Sequence, residues 1–159
     1  MPANIAISFN TNSSESTTSL VEARFTSQDL ISLQKNFSAG DGDGQCNLIF
    51  EKRGSAAATP EDIDLSMVAD QNGGLAAFAK VKAMIVCNKS TENSLEVAGS
   101  YFGTTPAIVI PAGGALILVL PVGVDITPDS NDGITIGSAL GADYEMRVVG
   151  TAVSEEPQE

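Results

Sequence analysis

Ser32-Leu33-Gln34-Lys35 has the Ser-x-x-Lys spacing of serine acyl-enzymes, and Ser130-Asn131-Asp132 follows downstream. Such enzymes place the serine on a helix, carry Ser-Asp-Asn in that order and add a Lys-Thr-Gly strand. Here the order differs and the third element is missing, so the match reads as a coincidence on a polar strand. Histidine is absent altogether. That removes Ser-His-Asp and Cys-His nucleophile arrangements and the commonest zinc and transition-metal ligand. Gly40, Gly42 and Gly44 suggest a phosphate loop, but Gln45 stands where the third glycine of a dinucleotide fingerprint belongs, and no Gly-Lys-Ser/Thr follows. Asp41, Asp43 and the Gln45 carbonyl could hold calcium, as could Asp129, Asn131 and Asp132. Both runs also read as polar turns that need Asp, Asn and Gly for their backbone. Paired carboxylates for sugar hydrolysis are available among 20 Asp and Glu, yet there is no Trp and Tyr101 and Tyr144 are the only tyrosines. The expectation is a protein that is not an enzyme and uses no metal or cofactor.

The composition narrows the class further. A chain of 159 residues is one domain by length, with room for a core. Its net charge of −12 repels phosphate backbones, which argues against nucleic acid as a partner. No apolar run approaches a membrane span, and Met1 to Ile5 has neither the basic nor the apolar region of a signal peptide. Cys46 and Cys87 are too few for a disulfide framework. Cys87 lies in an apolar run and reads as a small buried hydrophobe, although a Cys46–Cys87 bridge stays open.

Any site must be carried on strands. Short apolar runs punctuated by Gly, Pro, Asn and Asp have the rhythm of an all-β protein. Ile5, Ile7 and Phe9 alternate in a short strand or extended arm. Asn10 to Ser19 reads as a polar loop, and Leu20 to Phe25 as a half-buried strand. Gln28 to Phe37 fits a helix or a strand, and strand is the reading taken. Further strands are expected at Leu48–Arg53, Ile63–Leu65, Phe78–Cys87, Leu95–Val97, Ile134–Ile136 and Tyr144–Val149. Thr59 to Asp62 could open a helical turn, and Asp70 to Gly74 is a turn of the Asn-Gly type.

The most informative pair is Ala107–Ile110 and Ala115–Leu120, joined by Pro111-Ala112-Gly113-Gly114. It reads as a hairpin with Gly113 in the left-handed region, ended by Pro121. Ala115 to Leu120 is apolar throughout, so it should be covered on both faces, by the chain's own loops or by another molecule. The fold expected is an all-β, antiparallel β-sandwich, jelly-roll-like, of about eight strands with an extended N-terminal segment. Residues 1–19 form the strand or arm and polar loop, 20–152 the sandwich domain, and 153–159 an acidic tail.

Phe37-Ser38-Ala39-Gly40-Asp41-Gly42, Gln45, Leu48-Ile49-Phe50 and Glu61-Asp62-Ile63-Asp64-Leu65 resemble small virion proteins of tailed bacteriophages. So do Phe78 to Ala83 with Asn88-Lys89-Ser90-Thr91, Val109 to Gly114, Pro121, and Tyr144 to Gly150. The resemblance covers residues 20–151 and rests on strand-and-turn punctuation, not on a catalytic motif. It implies a capsid decoration (cement) protein, made in the host cytoplasm and carried on the outer surface of the virion. The implied partners are the major capsid protein and the chain's own copies, as a homotrimer matching local lattice symmetry. Candidate contacts are Ile5, Ile7 and Phe9, which could add to a neighbouring sheet edge, and Leu116, Leu118 and Leu120. The alternative is a carbohydrate- or receptor-binding module of a tail fibre or surface assembly, with Tyr101 and Phe102 as its aromatic platform.

Overall fold

The computed structural model describes residues 5–17, 25–69, 74–103 and 106–153; up to residue 36, and at Pro121, it describes the backbone alone. The expected strand over 20–24, most of the turn at 70–74 and the acidic tail beyond Val153 lie outside the described residues. The chain divides into two compact units, Met1–Ser38 and Ala39–Glu159.

In the first unit β1 (Ile5–Thr17) pairs antiparallel with β2 (Phe25–Ala39), from Ile5 opposite Phe37 to Thr17 opposite Phe25. Strand is therefore the outcome for residues 28–37. The reading of Asn10 to Ser19 as a loop is corrected for residues 10–17, which are ladder. A run of Ser, Thr and Asn is a weak strand signal in sequence, but a strand needs only a partner for its backbone, and residues 25–32 supply one. This pairing also explains why the contact boundary falls after Ser38, whereas the sequence reading divided the chain after residue 19.

The second unit is built almost entirely of antiparallel strands. They are β3 (Gln45–Cys46), β4 (Leu48–Ala56), β5 (Glu61–Asp64), β6 (Val68–Ala69), β7 (Leu75–Ala76), β8 (Phe78–Asn88), β9 (Leu95–Ala98), β10 (Ile108–Ile110), β11 (Ala115–Asp125), β12 (Gly133–Gly137) and β13 (Ala142–Ala152). A 3-10 turn, Ser100–Phe102, is the one helical element among the described residues. Thr59 to Asp62 forms no helical turn, because Glu61 and Asp62 pair with Ile136 and Thr135 in the β5–β12 ladder.

Two four-stranded sheets carry the core. One has the order β11-β8-β13-β4 and the other β10-β9-β12-β5. Their apolar positions meet in a single cluster: Phe50, Met84, Val86, Met146 and Val148 from the first, and Ile63, Leu95, Val97, Ile110, Ile134 and Ile136 from the second. The chain passes repeatedly from one sheet to the other. β4 is followed by β5, β8 by β9, β10 by β11, β11 by β12 and β12 by β13, each step changing sheet.

That crossing overturns the reading of Ala107–Leu120 as a hairpin. β10 pairs with β9 and β11 with β8, so the two apolar runs belong to different sheets. The tight connector survives as a crossover: Gly114 donates its N–H to the Pro111 carbonyl at 2.9 Å, and Gly113 has φ +70. Pro121 does not end β11 either. It falls where the register with β8 shifts, between Val119 and Val124, so a missing N–H costs the ladder nothing.

Candidate functional site

β11 is the edge of its sheet, and β10 is the edge of the other. Leu116 and Leu118 are half-buried and pack against the core cluster. Leu120 is 36% exposed and Val122 62%. No residue from Ala115 to Leu120 is fully buried, so the described residues do not cover this strand on both faces. Its unbroken apolar character comes with an edge that carries half-buried positions on each face. Ile5, Ile7 and Phe9 lie on β1, at register positions opposite Phe37, Lys35 and Leu33. They are engaged in a ladder with β2.

From Val97 to Val124 the chain carries no Asp, Glu, Lys or Arg, and this stretch contains β10 and all of β11 but its last residue, Asp125. The opposite edges, β4 and β5, are the reverse. Glu51 pairs with Arg147 at 2.6 Å, Lys52 with Glu61 at 2.5 Å and Arg53 with Glu145 at 2.8 Å. Asp62 accepts a hydrogen bond from the Thr135 hydroxyl at 2.9 Å. One side of the body thus presents a charged edge of the kind that discourages strand addition, and the other an uncharged one.

A polar knot holds the connector between β10 and β11. The buried Asn88 amide donates to the carbonyls of Asn93, Ile110 and Pro111, at 2.8, 3.1 and 3.1 Å. Its Oδ1 accepts the Ser90 N–H at 3.0 Å. Asn93 in turn donates to the Gly141 carbonyl at 2.7 Å, which ties the loop to the start of β13.

Lys82 is the functional-looking group that sequence reading missed. It sits in β8 where two β8 residues, Lys82 and its neighbour, face one step of β13, so it is the extra residue of a bulge. Its side chain is 0% exposed. The ammonium donates to the Asp41 and Gly42 carbonyls. The Gly40–Gly44 loop therefore binds a cation, but the cation is the chain's own lysine. In sequence Lys80 and Lys82 look alike; Lys80 forms an exposed pair with Asp125 at 3.2 Å. Only the bulge, a feature of pairing, separates them. Cys46 is buried near Lys82, and burial pushes its thiol pKa up, opposed by the lysine charge. Cys46 and Cys87 are both free thiols.

The Asp-rich loops are occupied by their own backbone. Gly42 N–H donates to Gln45 Oε1 at 2.9 Å. Thr127 N–H donates to Asn131 Oδ1, and Asp129 N–H to Asp132 Oδ2, both at 2.7 Å. Among the described residues no group of three or more His, Cys, Asp and Glu side chains gathers to hold a metal ion. Tyr101 and Phe102 are half-buried, pack edge to face with centroids 5.1 Å apart, and lean on the core. They do not stand out as a platform. Among the described residues no helix is long and apolar enough to cross a membrane.

Tyr144 supplies a link between the sheets. Buried on β13, it donates its hydroxyl to Glu61 of β5 at 2.6 Å, while Lys52 of β4 holds the other Glu61 oxygen. Lys52 first, then the tyrosine, hold the Glu61 carboxyl below its usual range. Burial first, then the Glu61 acceptor and charge, push the tyrosine pKa well above its ordinary 10.0. The unfolded tyrosine ionises near 10.0 and the folded one later, so this contribution is whole below 10.0 and is lost as pH rises further. Tyr144→Phe is expected to cost about 1.5–3 kcal/mol, the range for a hydrogen bond to a charged group. It should also flatten the loss of stability between about pH 9 and about pH 11. Urea midpoints at several pH values check both; parallel curves for wild type and variant would refute the link.

No family model matches the chain, and no curated protein sequence matches it.

Proposed function

We propose that this chain is a structural subunit of a virion, a capsid decoration protein that binds the outer surface of a tailed-bacteriophage shell. It strengthens the shell through contacts with the major capsid protein and with its own copies. The observation that carries this reading is the two-sided body: a charged β4–β5 side, and a β10–β11 side that is uncharged from Val97 to Val124 and ends each sheet at a strand edge. A surface of the second kind is built to be covered.

The strand order supports the reading. The sheet orders β11-β8-β13-β4 and β10-β9-β12-β5, with the chain crossing repeatedly between them, favour a jelly-roll-like sandwich. That architecture serves virus coats and lectins, and its use here rests on the surface, not on the fold alone. The net charge of −12 suits an outward face, away from packaged nucleic acid. A protein that binds only the assembled shell stabilises it by mass action.

Purified chain added to particles that lack it should appear in electron cryo-microscopy at discrete lattice positions and raise the temperature at which the shells open. Removing residues 1–9 should lower that occupancy while the second unit keeps its melting transition. Shells with no added density and an unchanged opening temperature would end the reading.

A further inference from the structure

The geometry points to a two-fold dimer in which the β11 edges of two copies of this chain pair antiparallel, with Ile117 on the axis. This rests on the reading of β11 as the self-association contact of a virion subunit.

The backbone sets the register. Asn88 N–H donates to the Gly114 carbonyl at 2.9 Å, one step before Ala115 stands opposite Cys87. Antiparallel pairs alternate between bonded and non-bonded, so Leu116 and Leu118 turn their N–H and C=O groups toward β8. Ala115, Ile117 and Val119 turn theirs outward, and among the described residues no strand lies on that side. A second β11 run antiparallel and centred on Ile117 brings Ile117 opposite itself and Ala115 opposite Val119. All three are outward-facing positions, so each pair can exchange both N–H···O bonds. A shift by one residue would set outward groups against inward ones.

The side chains fit the same axis. Leu116-Ile117-Leu118 reads the same in both directions, so antiparallel pairing about Ile117 places Leu116 beside Leu118 and no polar residue beside either. Charge selects the face. Two copies at −12 each repel, and the stretch from Val97 to Val124 is where they can meet without opposing charges. The opposite edge carries Glu51, Lys52 and Arg53. The register shift between Val119 and Val124 bounds the pairing at one end, and the turn at Gly113-Gly114 bounds it at the other. An edge bounded in this way pairs once and does not propagate. The result is a dimer, where lattice symmetry alone suggested a trimer.

Light scattering on the purified full chain at low micromolar concentration should give twice the chain mass. Ile117→Pro removes one outward N–H, which an edge strand tolerates, and should shift the mass to that of one chain. Ile117→Lys keeps the N–H but sets two like charges opposite each other, and should do the same even if the proline variant fails to fold. Ile117→Cys should form an intermolecular disulfide that the wild-type chain lacks, since a bonded pair has Cα atoms about 5.5 Å apart, within disulfide reach. A wild-type monomer or trimer, or a dimer that survives both substitutions and does not cross-link, overturns the pairing. Shell occupancy is read separately: a dimer that leaves shells bare sinks the virion reading and spares the pairing, and a monomer that fills them does the reverse.

Discussion

Gly150→Ala should lower the stability of the chain by about 3 kcal/mol or more, the largest effect expected of any single methyl group added to it. Gly150 lies near the C-terminal end of β13, where the register with β8 slips around Lys82. A Cβ at this position would meet the Lys80 carbonyl oxygen, with Phe78 Cδ1 at 2.9 Å and the Lys80 carbonyl carbon at 3.0 Å. Two of those three atoms are backbone, so no rotamer change relieves the clash. The strands must separate. Separation would also pull the Gly150 carbonyl from the Asn47 N–H that it accepts at 3.1 Å. For a chain of this size the melting temperature should fall by roughly 6–12 °C. A variant that melts within about 2 °C of wild type would mean that the close approach of β8 and β13 is not a feature of the folded protein.

Asn88→Ala is the second. Its amide satisfies three carbonyls and one N–H in a buried corner, and alanine satisfies none of them. Each buried group left without a partner costs about 1–3 kcal/mol, and water can reach some of these but not the Ile110 carbonyl, whose bond is buried. The expected loss is about 3 kcal/mol in urea unfolding. The variant should be worse than its stability alone implies at one task. Asn88 fixes the connector that carries the chain from β10 to β11, so β11 should lose hydrogen-exchange protection before β4 does. Asn88→Asp keeps the Ser90 contact but loses the donors, and should recover little. Equal loss of protection across both strands would show that the knot has no local role.

The elements of this fold were legible in sequence, and their partnerships were not. Phe78 to Cys87, Leu48 to Arg53 and Tyr144 to Val149 announce themselves as strands because long apolar or alternating runs have few other uses. Alternation reports which face a residue takes. It carries no information on which strand lies alongside, because pairing is decided between residues distant in the chain. That is why Ile108–Ile110 and Ala115–Leu120, adjacent in sequence and joined by a hairpin-like turn, were read as a pair although they lie in different sheets. It is also why Asn10 to Thr17 was read as loop: its composition is polar, and only the facing strand shows that its backbone is bonded. Lys82 was invisible for the same reason, since a bulge is a miscount between two strands. Leu116 and Leu118 pack partly against the core cluster, while Leu120 on the same strand is exposed.

β13, the last strand among the described residues, lies between β8 and β4, not at a margin of its sheet. While the chain is being made, β4 and β8 therefore have no shared neighbour, and the space between them stays vacant until Ala152 has cleared the ribosome. The body cannot assemble piecemeal behind the synthesis front as a bundle of local hairpins could. A nascent or prematurely terminated chain holds three strands of a four-strand sheet with its middle missing, and its apolar inner faces are left for other chains to find.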